Sequence, residues 1–231
     1  MKINNQMLRY GKGSEMSVGI FISGRLGSER LPSKLVLPIG DTCLWEMACE
    51  KLNLLPERYN KYVLAEEGIL SEMARRYTNL QVIIRDKKTA LVDGPLSYIF
   101  KDLKQVCDQY LMFLNPCQSF LSIETVIRSL EKFQDAGAEY ATSVKLFRNW
   151  LFDESGKPIN PIDYKTLSTK VIKPIFQAAH CFHIFNKNNF FSDGCMLKVG
   201  HMLLPTPEEE TLDVDTADDL EFVRWKHEIC D

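Results

Sequence analysis

Short apolar runs alternate along the chain with segments in which apolar residues recur every three or four positions. Runs of the first kind, rich in Val, Ile, Leu and Phe, are typical of buried β-strands, and the second spacing is typical of amphipathic helices. The strands predicted in this way are residues 17–23, 62–65, 81–84, 109–114 and 140–144. The predicted helices are residues 44–54, 68–77, 97–109 and 123–133.

Regular alternation of strand and helix predicts an α/β fold with a mostly parallel, doubly wound, Rossmann-like sheet. Ligands of such folds bind beyond the carboxyl ends of the strands, so we expect a site in the loops after residues 22, 84 and 114. The alternation fails from residue 145 to residue 174, where Gly156, Pro158 and Pro161 interrupt it. We therefore expect one domain over residues 17–231, with an inserted arm over 145–178 before the sheet resumes near Cys181, and an N-terminal tail over 1–16.

The charge balance narrows the choice of partners. With 28 basic and 31 acidic residues, for a net charge of -3, the chain has no general attraction for nucleic acid or for an anionic membrane. The 7 cysteines are scattered and form no Cys-x-x-Cys pair, which argues against a disulfide framework and a zinc site. No apolar run approaches the roughly 20 residues that span a bilayer, and residues 1–16 contain no secretory signal, so we expect a cytoplasmic protein.

A loop rich in glycine and cations follows the first predicted strand. Gly24 and Gly27 permit close approach of the backbone to a ligand, and Arg25, Arg30 and Lys34 supply positive charge for phosphate oxygens. The spacing fits neither the GxxxxGK[ST] phosphate loop nor the GxGxxG fingerprint, which disfavours a Rossmann-type oxidoreductase. By composition alone, the segment is compatible with a phosphate-binding loop and equally with a solvated basic loop.

A second candidate lies near the end of the chain, where Asp213 and Asp215 are separated by Val214. In an extended segment these two carboxylates share a face, and such a pair is suited to a hard cation such as Mg²⁺. The alternative is a capped helix after an acidic turn, with Thr216 as the N-cap and Asp219 near the third helical position.

Both segments resemble signatures of one enzyme family. Residues 23–35, followed by Pro38-Ile-Gly and Leu44, are similar to the xxARxGSxRLPxKxLxxIxGxPL motif of the cytidylyltransferases that make CMP-Kdo, CMP-sialic acid and related CMP-sugars. Residues 212–220 are similar to the (I/L)D(I/V)DTxxDL element of that family, whose aspartates bind magnesium. One departure is Gly24, where the family usually has Ala.

The resemblance implies roles for individual residues. The residues implied in nucleotide binding are Ser23, Gly24, Arg25, Ser28, Arg30, Lys34, Arg85 and Asn115. Of the catalytic candidates, Arg25 and Lys34 are implied to hold the triphosphate, and Asp215 shares the Mg²⁺ with Asp213.

The middle of the chain matches the family more weakly. Asn115 stands where CMP-sialic acid synthetases have the glutamine of a QPTSPLR-like loop, and Arg85 stands where they have an arginine on the cytosine side of CTP, although an ordinary surface arginine fits as well. In the arm, Lys170 is either a partner for the sugar carboxylate or a solvated lysine. For His180 and His183 we expect packing and loop hydrogen bonds rather than a metal.

The function implied by the resemblance is transfer of CMP from CTP to an acidic sugar, a sialic acid or related nonulosonic acid, with release of pyrophosphate. A homodimer formed through the arm is implied as well. Two alternatives stay open: a CMP-Kdo synthetase or other sugar nucleotidyltransferase, such as the spore-coat polysaccharide type, and a catalytically silent nucleotide-binding homologue.

Overall fold

The computed structural model describes residues 16–90, 94–165 and 168–230. Of the predicted N-terminal tail, residues 1–15 lie outside the described residues. Within the described residues, no helix is long and apolar enough to cross a membrane.

Seven strands form one mixed sheet, and two short strands form a separate hairpin. In chain order the strands are β1 Val18–Ser23, β2 Pro38–Ile39, β3 Thr42–Cys43, β4 Asn60–Ala65, β5 Gln81–Ile84, β6 Tyr110–Leu114, β7 Tyr140–Phe147, β8 Ile175–Asn186 and β9 Met202–Pro205. The order across the sheet is β5-β4-β1-β6-β8-β7-β9, and β8 is antiparallel to both of its neighbours while the other pairs are parallel. The predicted α/β fold with a mostly parallel sheet is therefore confirmed.

Helices follow most of the strands. They are α1 Leu44–Leu54, α2 Ile69–Ala74, α3 Lys87–Ala90, α4 Leu96–Ile99, α5 Ile123–Ala136, α6 Lys187–Asp193 and α7 Ala217–Cys230. Local chemistry sets the bounds of α5: the hydroxyl of Ser122 accepts a hydrogen bond from the Thr125 backbone N–H at its start, and Gly137 adopts a left-handed conformation at its end, with φ 59°.

The two faces of the sheet are buried in separate apolar clusters. Along β1, Ile20 and Ile22 belong to a cluster with α1, α5 and α7, whereas Phe21 faces a second cluster that includes Phe100 and Phe190. Because side chains alternate across a strand, an unbroken apolar run is what a strand covered on both faces requires. The apolar run in the sequence thus reports burial on both faces of the sheet.

The prediction of a continuous α-helix over residues 97–109 is wrong. Helix α4 ends at Ile99, and a 3-10 helix, Lys101–Gln105, continues the segment. Phe100, Leu103 and Val106 all pack into the second apolar cluster. Their spacing of three matches the 3.0 residues per turn of a 3-10 helix better than the 3.6 of an α-helix.

The predicted arm is shorter than residues 145–178. Lys145 pairs with Gln177 and Phe147 with Ile175, so both ends of that range belong to the antiparallel pair β7–β8, and the sheet resumes at Ile175 rather than near Cys181. The proline and glycine interruptions therefore mark only the tip of a long excursion between two paired strands.

Gly24 follows β1, and the ring of Trp45 occupies the space next to its Cα atom. A Cβ atom at Gly24 would lie 2.6 Å from Trp45 Cζ3, and Trp45 is fully buried with its indole N–H donated to the Leu70 carbonyl. The departure from the alanine of the family motif thus has a steric reason in this chain. At Gly27, no described residue beyond its two chain neighbours has an atom within 4 Å of the corresponding position.

We expect Gly24→Ala to lower the free energy of unfolding by roughly 1–3 kcal/mol, because a fixed indole ring has no room to shift. Gly27→Ala, in the same loop but in open space, is the matched control. Urea denaturation of both variants tests this. Equal stability of the two variants would show that Trp45 yields freely and that the close contact is not a constraint.

Candidate active site

Three chain segments meet beyond the carboxyl ends of β1 and β6. They are the loop 24–33 after β1, the loop 115–122 after β6 and the segment 206–216 before α7. The Val214 backbone N–H donates to the Cys117 carbonyl at 3.2 Å, and the Asn115 N–H donates to the Cys181 carbonyl at 3.0 Å. Main-chain bonds therefore fix the segment that carries both aspartates against the loop after β6.

Lys34 links the first loop to the last. Its Nζ donates to the Val214 carbonyl at 2.8 Å and to Asp215 Oδ1 at 2.9 Å, and Arg30 Nη2 lies 2.8 Å from the same carboxylate oxygen. Burial alone would lower the pKa of Lys34, but Cys117 and Asp215 outweigh it, and the pKa of the ammonium is raised. Lys34 is therefore a firmly charged group at the centre of the site.

Of the two carboxylates, that of Asp213 has the less favourable environment. Its Oδ2 accepts a hydrogen bond of 3.2 Å from Asn115 Nδ2, whereas its Oδ1 is buried and has no hydrogen-bond partner among the described residues. Burial, followed by the charge of Asp215, raises the pKa of the Asp213 carboxyl. An orphaned buried carboxylate oxygen beside a second carboxylate is a suitable ligand for a cation, since a cation relieves both penalties.

The donor set fits Mg²⁺. Mg²⁺ in nucleotide enzymes is commonly held by one or two carboxylates and otherwise by phosphate oxygens and water. Asp213 and Asp215 supply two carboxylates at this position. In the described part of the chain, no group of three or more His, Cys, Asp or Glu side chains forms a fuller cage.

A cavity of about 440 Å³ opens on the side of the first loop. Its lining residues are Arg25, Ser28, Glu29, Arg30, Lys34, Leu35 and Cys117. Three of these are cations, which suits a polyphosphate. Burial raises the pKa of the Cys117 thiol to about 11, so this thiol stays protonated at neutral pH.

A second cavity, of about 550 Å³, has Asp213 in its wall. It is lined by Phe120, Lys145, Gln177, Ala178, Ala179, His180, Glu208, Glu209, Thr211, Leu212, Asp213, Phe222 and Lys226. The ammonium of Lys226 lies 4.0 Å from the centroid of the Phe120 ring. Sequence reasoning assigned no role to Lys145 or Lys226, because neither belongs to a recognisable motif.

Arg85 is buried and forms hydrogen bonds that link two segments next to the site. This arginine is 4% exposed, its Nη1 donates to Ser23 Oγ at 3.1 Å, and its Nε donates to Thr89 Oγ1 at 3.3 Å. Burial, together with the charge of Arg25, lowers its pKa. The alternative of an ordinary surface arginine is therefore wrong. The contacts made by Arg85 and Ser23 join the end of β1 to the segment after β5.

The side-chain amide of Asn115 also forms hydrogen bonds within the protein. Its Oδ1 accepts from the Cys117 backbone N–H at 3.0 Å while its amide group donates to Asp213. This differs from the direct nucleotide contact that the resemblance implied, because both ends of the amide already have partners. The geometry makes Asn115 the residue that orients Asp213.

Lys170 lies apart from these groups. It is exposed in the 3-10 helix Thr169–Val171 of the arm and lines neither cavity. Among the described residues it forms no hydrogen bond or ion pair with the site. The solvated-lysine alternative therefore describes Lys170 in this structure, because the arm carries it away from the sheet edge.

A bulge in β8 forms the wall between the sheet and the second cavity. His180 has φ 53°, and the Ser143 hydroxyl accepts from the backbone N–H groups of Cys181 and Phe182 at 2.9 and 3.1 Å. His180 Nδ1 lies 3.4 Å from His183 Nε2, and His183 Nδ1 lies 2.8 Å from Thr142 Oγ1. The two histidines therefore serve packing and hydrogen bonding, as the sequence predicts.

A larger cavity, of about 850 Å³, lies between α1 and the end of the loop after β6. Its lining has the carboxylates of Asp41, Glu46, Glu50 and Glu124 and one lysine, Lys51. This lining repels a triphosphate. Size therefore does not identify a cavity suited to a triphosphate, whereas the sign of the lining charges does.

Comparison with known proteins establishes the fold. No protein-family model and no curated protein matches the sequence. The chain is similar to a CMP:2-keto-3-deoxy-manno-octonic acid synthetase solved in complex with CTP, with a TM-score of 0.65, 13% identity and coverage of 92% of this chain and 99% of that chain.

Two further structures have the same architecture. A 4-diphosphocytidyl-2C-methyl-D-erythritol synthase from Anaerococcus prevotii has a TM-score of 0.66 at 10% identity, over 93% of this chain and 97% of that chain. A cytidylyltransferase from Leptospira borgpetersenii serovar Hardjo-bovis has a TM-score of 0.58 at 18% identity, over 90% of this chain and 85% of that chain. The fold is thus one that cytidylyltransferases use, and at these identities the activity must be argued from the site.

The buried His183 makes stability depend on pH. Burial lowers the pKa of His183 from the ordinary 6.5 to about 4, so between these values the unfolded chain binds a proton that the folded chain excludes. Stability therefore falls as the pH falls through this window. We expect this group to cost about 2 kcal/mol between pH 7 and pH 5. Urea denaturation at both pH values should show a smaller loss in His183→Gln; an equal loss in the variant and the wild type would contradict the assignment.

Proposed function

We propose that this protein is a Mg²⁺-dependent cytidylyltransferase that transfers CMP from CTP to an acidic sugar, a sialic acid or related nonulosonic acid, with release of pyrophosphate. The observation that carries the proposal is the meeting of Lys34 and Arg30, from the loop after the first strand, with Asp213 and Asp215, from the segment before the last helix. Cations for a triphosphate and carboxylates for its metal thus occupy one sheet edge.

The cavity of about 440 Å³ is the proposed triphosphate site. Arg25, Arg30 and Lys34 neutralise phosphate charge there, and the Ser28 hydroxyl supplies a hydrogen bond. Because Asp215 Oδ1 accepts both Lys34 and Arg30, an incoming triphosphate exchanges these ion pairs for phosphate contacts. The exchange releases the carboxylate to bind a metal, which couples nucleotide binding to metal binding.

Asp213 and Asp215 are the proposed Mg²⁺ ligands. Bound there, Mg²⁺ would neutralise negative charge on phosphate oxygens and polarise the phosphorus. Asn115 orients Asp213 through its amide, and Lys34 fixes the Val214 carbonyl between the two aspartates. The protein's own contribution is therefore a pair of ligands whose backbone is held in place before substrate arrives.

The acceptor is proposed to occupy the cavity of about 550 Å³, since Asp213 lies in its wall. In-line attack by the sugar hydroxyl on the α-phosphorus needs positioning and charge neutralisation and no covalent protein nucleophile. The Cys117 thiol agrees with this, because it is protonated and a cysteine attacks only as the thiolate. The similarity to a synthetase solved with CTP supports CTP as the donor.

Pyrophosphate release is the direct test. The purified protein is incubated with Mg²⁺ and CTP, with GTP and UTP as controls, and with sialic, pseudaminic, legionaminic or Kdo sugars as acceptors. Release that requires both CTP and one acidic sugar supports the proposal. Binding of CTP without release from any acceptor would favour the catalytically silent homologue.

Replacement of Asp213 by Asn separates catalysis from folding. We expect Asp213→Asn to reduce Mg²⁺-dependent pyrophosphate release by at least about 100-fold, which corresponds to about 3 kcal/mol of lost transition-state stabilisation. Thermal stability should not fall, because burial and Asp215 already disfavour the ionised carboxyl. Asp218→Asn, at the exposed start of α7, is the control. Activity close to wild type in Asp213→Asn would refute the metal assignment.

Lys34→Gln tests the phosphate contact. We expect the KM for CTP to rise by about 10-fold or more, because one charge-assisted phosphate contact is lost. Lys132→Gln, on the exposed side of α5, is the matched control. An unchanged KM for CTP in Lys34→Gln would limit this lysine to its structural bonds with Val214 and Asp215.

A further inference from the structure

The cavity beside Asp213 carries cations from two separate elements. Lys145 lies on β7, directly opposite Gln177 of β8, and both residues line the cavity. Opposite residues of an antiparallel pair share a face of the sheet. Lys226 reaches the same cavity from α7, where its ammonium lies 4.0 Å from the Phe120 ring centroid. The fold thus brings two positive charges to one concave surface.

Lys145 is the cation of this cavity that lacks a protein partner. It is half-buried, and its ammonium forms no hydrogen bond or ion pair with the described residues. A partly desolvated ammonium is costly unless an anion or hydrogen-bond acceptor compensates for it. The carboxylates of Glu208 and Glu209 line the cavity as well, but no ion pair joins either one to Lys145 in the described part of the chain. The charge of Lys145 is therefore available to a ligand.

The aromatic contact of Lys226 gives that lysine a different position. Its ammonium is held over Phe120, in the loop after β6 that also carries Asn115. A cation over a ring retains its charge and is restricted in orientation. Lys226 thereby adds positive potential to the cavity, while Lys145 keeps its donors for direct contact.

We propose that Lys145, assisted by the charge of Lys226, binds the carboxylate of the acceptor and makes the enzyme select anionic over neutral sugars. This inference rests on the proposed function and identifies the residues that decide its substrate class. It replaces Lys170, which lines neither cavity, as the partner of the sugar carboxylate. The same cavity is also lined by the carboxylates of Asp213, Glu208 and Glu209, so an acidic sugar would depend on direct contact with Lys145 rather than on the summed charge of the cavity.

Matched acid and ester pairs isolate the charge. The probes are N-acetylneuraminic acid and Kdo, each compared with its neutral methyl ester, and calorimetry with the full-length protein measures their Kd without any need for turnover. The wild type should bind at least one acid about 10-fold or more tighter than its ester. In Lys145→Met, which keeps the apolar stem and removes the charge, this ratio should fall close to one.

Three further variants sharpen the result. Lys145→Arg keeps a positive charge and should retain most of the preference for the acid, which separates loss of charge from damage to β7. Lys132→Met, on the exposed side of α5, should behave like the wild type. The affinity for CTP should be unchanged in Lys145→Met, since Lys145 does not line the triphosphate cavity.

The inference is overturned if Lys145→Met keeps the wild-type ratio of acid to ester, if Lys170→Met loses that ratio instead, or if the wild type binds no acid better than its ester. Failure of the proposed function gives a different signature, namely no binding of CTP and no pyrophosphate release. Selective binding of the acid that depends on Lys145 would support an anion-binding role of this cavity even then.

Discussion

Everything in the site depends on the bonds made by one lysine. Lys34 lies just after the first loop, and its ammonium donates to the carbonyl of Val214 and to the carboxylate of Asp215, which are 180 and 181 residues away in the chain. The half-buried position strengthens these bonds because solvent screens them weakly. Through Val214, which is bonded to Cys117, the same contact fixes the loop after β6. The cations proposed to bind phosphate, the proposed metal ligands and the central loop are thereby positioned relative to one another.

Strand β8, which is antiparallel to both of its neighbours, supplies residues 177–180 to the wall of the cavity of about 550 Å³. Strand β8 lies between β6 and β7 and runs against both, so its first half leads from the arm back to the functional edge of the sheet. The bulge around His180 is held by the Ser143 hydroxyl and interrupts the ladder beside Asp213. A non-glycine residue with positive φ is costly, and such strain persists where the surrounding structure imposes it. The bulge shapes a wall of the proposed acceptor cavity, while the loop after β1 shapes the proposed triphosphate cavity.

The charged side chains of the site fall into two groups: those whose polar atoms are hydrogen-bonded within the protein, and those that keep a polar atom without a protein partner. Arg85 has hydrogen-bond partners on the protein for most of its guanidinium and acts as a brace between β1 and β5. Within the described residues, one buried oxygen of Asp213 has no hydrogen-bond partner and the ammonium of Lys145 has no hydrogen bond or ion pair. Proteins tolerate such local costs where a ligand compensates for them, which is why these two residues, rather than the well-bonded ones, are the strongest functional candidates.

The sequence by itself determined the parts of the molecule that depend on local chemistry. Helix α1 and strand β5 have the bounds that apolar spacing predicts, and the glycine-rich loop and the aspartate pair are visible as short motifs. Only the tertiary structure decided the rest. The 3-10 helix after α4 and the early start of β8 depend on packing and pairing partners that are distant in sequence. The same holds for two lysines, Lys170 and Lys145, which the sequence alone does not distinguish. Only Lys145 lines the cavity beside Asp213, because β7, β8 and α7 meet there. A cavity is formed by segments that are distant in the sequence, so its lining cannot be predicted from local sequence.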